Sequence, residues 1–239
     1  MAPVYPSSQR KIECRDCALY ELCEPVAAGP QILDLIEPRI RKDITLDAGE
    51  QLTQEEQPAD FFYAVTTGSF KLVNQTLSGQ QVTGFLFPGD LIGHEAQHRG
   101  QYGATAIALE PSRVCGLSIE DLRHILGNVH PIYQRLINLY ARHAYLQFRQ
   151  TRLIMPRTSA AGKLGAFLFD LHLRASERGF DGLHLRLPMN RADIASFLGL
   201  TQETLSRVFT RLKRDGVLEV SAKHIRILNL ESLQRLAAE

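Results

Sequence analysis

Residues 190 to 212, Asn-Arg-Ala-Asp-Ile-Ala-Ser-Phe-Leu-Gly-Leu-Thr-Gln-Glu-Thr-Leu-Ser-Arg-Val-Phe-Thr-Arg-Leu, leave the chain few ways to fold. Two helices that cross closely need a small residue on the first, and Ala195 supplies it. Gly199, four places later, tolerates the positive φ of a tight turn. Thr201 is a good N-cap for a second helix, which would turn Leu205, Val208 and Leu212 toward the first at i, i+3 and i+7. Gln202, Glu203, Ser206 and Arg207 are then left pointing outward near the helix start. That is a helix-turn-helix whose second helix occupies roughly Thr201 to Arg214.

The outward residues suit base edges. Arginine grips guanine O6 and N7 with two donors, and glutamate accepts from cytosine N4. A glutamate is a poor phosphate ligand, so base readout explains Glu203 better than backbone contact. The plainer reading is a helical hairpin in which Glu203 and Arg207 form an i,i+4 surface pair. Local charge favours the nucleic-acid reading. The chain carries a net charge of only +1, yet between Arg186 and Arg226 eight basic residues stand against four acidic ones. A surplus confined to one end is what a phosphate-binding module leaves in a neutral chain.

The rest of the chain changes period twice. Residues 1–30 are Pro- and Cys-bearing. From 31 to 128, short apolar runs (Phe61–Val65, Phe70–Val73, Val82–Leu86) alternate with Gly-containing turns at Asp47–Glu50, Thr67–Ser69, Ser78–Gln80 and Pro88–Asp90. Such spacing predicts an antiparallel β-sandwich or β-roll. From Val129 the period becomes 3.5, with Val129, Leu136, His143 and Gln150 at a, and Ile132, Leu139, Leu146 and Leu153 at d. A seam of that kind over 129–156 calls for a partner helix, most economically from a second copy in a homodimer. Pro156 ends the pattern. Residues 157–239 then read as a helix to about Gly179, followed by strand-like pieces at Leu183–Leu187, Val217–Val220 and His224–Leu228 that flank the two helices, which is a winged helix. The fold class expected is α+β: an N-terminal β-roll, a long dimerisation helix and a C-terminal winged helix-turn-helix.

No apolar run approaches the roughly 18–20 residues of a membrane span, and the N-terminus lacks the basic and apolar stretches of a secretory signal. A cytoplasmic protein with no membrane contact is expected. Its four cysteines, Cys14, Cys17, Cys23 and Cys115, are then poorly explained by disulfides. Three thiols within ten residues point to a metal, and soft thiolates select zinc or an iron–sulfur cluster. One further pattern, His94-Glu95-Ala96-Gln97-His98, matches the His-Glu-x-x-His of zinc hydrolases. It follows a glycine turn and stops at Arg99-Gly100, too short for the helix that chemistry needs, so a loop of solvated His and Glu is expected. No catalytic residues are assigned, and an enzyme is not expected.

Taken in order, the Cys cluster, the Pro88-Gly89-Asp90-Leu91-Ile92-Gly93 turn, the long helix and Glu203-Thr204-Leu205-Ser206-Arg207 resemble the CRP/FNR (cyclic-AMP receptor) superfamily. Within it they resemble the FNR-type (fumarate and nitrate reduction) oxygen-responsive regulators, over nearly the whole chain. The resemblance implies that Glu203, Ser206 and Arg207 contact bases of a TTGAT-type inverted repeat. Asn190, Arg191, Thr201, Gln202 and Thr204 would touch the DNA backbone, positioning without specifying. It also implies a [4Fe-4S] cluster on Cys14, Cys17, Cys23 and Cys115, a dimer seam through Ile132, Leu136, Leu139, His143, Leu146, Gln150 and Leu153, and RNA polymerase as a partner in anaerobic gene regulation.

Cyclic AMP is not expected as the effector. Its pocket needs Gly-Glu at the ribose and Arg-Ser/Thr-Ala at the phosphate. Here Gly93 is followed by His94, and Tyr102-Gly103-Ala104-Thr105 stands where the Arg should fall. A buried phosphate without its arginine would be an unpaired charge. The long helix departs from the branch by having no acidic residue between Pro131 and Pro156, which leaves open a dimer that persists and changes only its geometry. Two other readings stay open: the same fold with structural zinc or a haem held by a residue such as His143, and a zinc metallohydrolase built on His94, Glu95 and His98.

Overall fold

The computed structural model of the protein describes residues 4–5, 42–77, 79–120, 141, 144 and 159–238. The chain divides into two compact units, one of residues 8–144 and the other of residues 1–7 with 145–239. A two-residue strand, β1 (Val4–Tyr5), belongs to the second.

The first unit contains β2 (Lys42–Leu46), β3 (Gln51–Thr53), β4 (Phe61–Thr67), β5 (Phe70–Thr76), β6 (Gly79–Leu86), β7 (Leu91–Ile92), the short helix α1 (Ala96–Arg99), β8 (Thr105–Ala108) and β9 (Ser112–Ser118). These strands form two antiparallel sheets in the orders β2-β9-β4-β7 and β3-β8-β5-β6. Both sheets feed one core. Phe62, Ala64, Val65, Leu91, Val114 and Leu117 come from the first, and Phe70, Ala106 and Ala108 from the second. Phe62 and Phe70 are fully buried, and each such ring contributes about 1.5–3 kcal/mol.

Two turns show why the expected punctuation works. Gly68 joins β4 to β5 at φ +78°, and a Cβ there would lie 2.1 Å from Ser112 Oγ, so no other residue fits. In the Pro88-Gly89-Asp90 turn, the buried Asp90 carboxylate accepts the Phe87 N–H at 2.9 Å, while the Asp90 N–H donates to the Phe87 carbonyl at 2.9 Å. The turn is therefore closed from both sides, which fixes where β7 re-enters the sheet beside β4.

The second unit contains α2 (Ala160–Glu177), β10 (Asp181–Arg186), α3 (Arg191–Leu198), α4 (Gln202–Arg214), β11 (Leu218–Ser221), β12 (His224–Ile227) and α5 (Leu230–Ala238). Ser159 caps α2 by accepting the Gly162 N–H. At Gly165 the helix comes so near α5 that a Cβ would lie 3.0 Å from Leu236 Cβ. The sheet runs β1-β10-β12-β11, antiparallel except for the parallel pairing of β1 with β10. Two helices flanked by this small sheet make the winged helix, and the two units together give the expected α+β architecture. No helix among the described residues is long and apolar enough to cross a membrane.

Candidate nucleic-acid interface

Local chemistry defines both helices of the C-terminal pair. Asn190 opens α3 with a reciprocal box: its side chain accepts the Asp193 N–H at 2.8 Å, and the Asp193 carboxylate accepts the Asn190 N–H at 3.4 Å. Gly199 closes α3 at φ +62°, and the Leu200 N–H returns to the Ala195 carbonyl at 2.9 Å. Ala195, 3% exposed, leaves room for the crossing. Thr201 opens α4 by accepting the Thr204 N–H at 3.1 Å, and its hydroxyl donates to Thr204 Oγ1.

One face of α4 is sealed by Leu205, Val208, Phe209 and Leu212. Gln202, Glu203, Ser206 and Arg207 are all exposed on the other. Arg207 and Glu203 pair through Nη2 and Oε1 with both side chains about three-quarters in water. The surface pair thus consists of two of the three side chains expected to read bases, and an exposed pair of this kind holds itself together by only about 0.2–1 kcal/mol. Arg211, Lys213 and Arg214 load the last turn of α4 with positive charge, which complements the helix dipole.

The expected backbone contacts have different surroundings. Asn190, Thr201 and Gln202 are exposed, and Thr204 is half-buried behind the cap. Arg191 is half-buried and lies flat on α4, its guanidinium carbon 3.4 Å from the Phe209 ring centroid. Burial pushes its pKa down. Sequence reasoning passed over Phe209, although it falls four residues after Leu205 on the apolar face. It also passed over Lys163, whose ammonium reaches across from α2 to the Leu198 carbonyl.

Beside these helices, β11 and β12 form the wing hairpin. Its tip places Ala222 at φ +50°, Glu219 pairs across the strands with Arg226, and Lys223 Nζ donates to the Pro188 carbonyl at 3.2 Å.

The other predicted sites are placed only in part. Cys115 is half-buried on β9, in register with Asp43 on β2 and Ala64 on β4. It shares a sheet face with the core residues Ala64 and Leu117 yet is itself only half-buried. Cys14, Cys17 and Cys23 lie outside the described residues, as do the seam residues Ile132, Leu136, Leu139, His143, Leu146, Gln150 and Leu153.

The expectation of a solvated His-Glu loop agrees with His98, which is exposed, and is corrected at His94 and in the local helical turn. His94 has a side chain only 12% exposed, and α1 begins two residues later as a single four-residue helix turn. The Glu95 carboxylate accepts the Gly103 N–H at 3.1 Å, which pins this segment to the strand that follows. Burial pushes the His94 pKa down, and the adjacent Glu95 opposes that. The Gly103 carbonyl accepts from the Asn74 amide, which also donates to the Glu55 carboxylate. Among the described residues no group of three His, Cys, Asp or Glu side chains is arranged to hold a metal ion.

Comparison with known proteins agrees with this geometry. Residues 162–236 match the Crp-like helix-turn-helix domain family, and residues 43–128 match the cyclic nucleotide-binding domain family. The chain is 33% identical over 231 residues to the transcriptional activator protein FnrA of Stutzerimonas stutzeri, covering 96% of this chain and 94% of that one. It is 33% identical over 227 residues to the fumarate and nitrate reduction regulatory protein of Escherichia coli strain K12, covering 95% and 90%. Among solved structures it is similar to FixK2 from Bradyrhizobium japonicum, with a TM-score of 0.73 and 26% identity over 82% of this chain and 97% of that one.

Proposed function

From the premise that this chain belongs to the CRP/FNR family of DNA-binding transcription regulators, as an FNR-type member, we propose that it reads a TTGAT-type inverted repeat as a homodimer and responds to oxygen through an iron–sulfur cluster. One observation carries the DNA reading. Glu203, Ser206 and Arg207 stand together in water on a helix whose opposite face is sealed. In the major groove their side chains meet base edges, with the N-terminus of α4 leading. Asn190, Arg191, Thr201, Gln202 and Thr204 fix the register on phosphates. Two copies, with their reading helices about 34–36 Å apart, match the two halves of the repeat. RNA polymerase is the partner through which binding alters anaerobic transcription.

Cys14, Cys17, Cys23 and Cys115 would hold a [4Fe-4S] cluster. Cys115 fits that role as a β9 thiol that is only half-buried rather than sealed in the core. When bound, the cluster would supply oxygen-sensitive chemistry, and its ligation by Cys115 would link the N-terminal cysteines to the roll. The Glu95–Gly103 and Asn74–Gly103 hydrogen bonds support a roll that does not use cyclic AMP.

The test is binding of anaerobically purified protein to a TTGAT palindrome, before and after exposure to air, with iron and acid-labile sulfide measured on the same sample. Tight anaerobic binding that weakens in air, with both elements present, is expected. Equal affinity in both states would end the sensing claim. Zinc or haem in place of iron and sulfide would overturn the cluster.

A further inference from the structure

We propose that Phe209 is a positioning residue that holds Arg191 in place as a phosphate clamp and ties that clamp to the reading helix. The inference rests on the DNA-binding reading above and names a residue that reading does not use.

Arg191 opens α3 and Phe209 lies in the middle of α4, so their contact joins the two helices of the motif. The guanidinium sits 3.4 Å from the ring centroid, close enough for the ring's negative face to attract it. Arginine is otherwise costly to place, because its long side chain has many rotamers to lose. Stacking removes that freedom before any ligand arrives. The ring engages only the face of the guanidinium, so phosphate oxygens can engage the part of its N–H rim that is not buried.

Two further observations point to an anion as the partner of this guanidinium. Arg191 Nη1 is buried and has no hydrogen-bond partner in the protein. The carboxylate nearest along its own helix, Asp193, is committed to the cap with Asn190. A cation fixed in direction and left without a protein acceptor suits a DNA phosphate, and the electropositive start of α3 adds to that. Phe209 is buried and lies two residues beyond Arg207, so the clamp and the reading face keep one register.

The experiment uses the full chain and a salt series, on the palindrome and on a duplex of unrelated sequence. Arg191→Gln should weaken binding about tenfold on both duplexes and lower the salt slope by about one. Arg191→Lys keeps the charge but cannot stack, so it should lose several-fold in affinity while retaining the slope. Phe209→Leu should lose several-fold in the wild-type background and nothing more in the Arg191→Gln background. Equal losses from Phe209→Leu in both backgrounds would reduce Phe209 to a core residue and overturn the proposal. Wild-type affinity in Arg191→Lys, a variant that leaves the core untouched, would overturn it too. If the operator reading alone is mistaken, the same differences persist on the unrelated duplex; a wild-type chain that binds no DNA sinks both.

Discussion

The ammonium nitrogen of Lys163, in the first turn of α2, lies 3.0 Å from the carbonyl oxygen of Leu198, the last residue of α3. It supplies a donor to a helix end whose last carbonyls have no intrahelical partner, and a cation at the negative end of that helix. The contact anchors the turn at Gly199, which sets the angle at which α4 leaves the motif. Lys163→Met should therefore cost about 1 kcal/mol, read as a lower urea midpoint of the C-terminal unit. An unchanged midpoint would show that the bond contributes nothing in water.

Glu203 and Arg207 test the groove reading. Both are exposed, so Glu203→Ala or Arg207→Ala should move stability by less than about 0.5 kcal/mol. Each should weaken operator binding by about 1–3 kcal/mol and relax the base preference at one position of each half-site. Competition assays with single-base operator variants check this. Retained preference in both variants would leave only the surface pair.

Gly68 carries the β4–β5 turn. A methyl group there would fall within 2.7 Å of both the Cα and the Cβ of Ser112, at a backbone φ of +78°. Gly68→Ala should cost about 3 kcal/mol or more and depress soluble yield, whereas Gly49→Ala, with open space around it, should cost only its backbone strain of about 1 kcal/mol. Urea unfolding of the two variants side by side decides the point. Equal losses would mean that Ser112 moves aside freely.

Cys115 tests the sensor. Cys115→Ser keeps size and β9 register, so the fold should persist by circular dichroism. Iron and sulfide in anaerobically purified protein should nevertheless fall several-fold, and operator binding with them. Full metal content in the variant would remove Cys115 from the ligand set.

Asp181 accepts from His184 at 2.5 Å and from the Leu183 N–H at 2.9 Å, and these bonds hold its carboxyl below the usual carboxylate range. A depressed folded pKa contributes stability that is present above the unfolded value, about 3.9, and is lost as pH falls through the lower folded value. Asp181→Asn should remove that contribution near neutrality and so flatten the fall in stability across the acid window. A variant with the parent's full acid dependence would show that the charge is not involved.

Much of this was legible in the residues. Ala195, Gly199, Thr201 and the stripe of Leu205, Val208 and Leu212 each have a short-range physical requirement, so their order along the chain predicted both helices and the face left in water. The turn glycines marked the strands for the same reason. His94 was misjudged because the segment around it is held by Tyr102 and Gly103, brought back against it by a turn that local pattern does not reveal. The sequence by itself determined the α+β class, the helix-turn-helix and the face of its second helix left in water, because periodicity and capping act within a few residues. Only the tertiary structure decided what Arg191, Lys163 and Phe209 do. Arg191 and Phe209 stand 18 positions apart, and Lys163 and Leu198 35, so nothing short of the packed helices brings a guanidinium onto a ring or an ammonium onto a carbonyl.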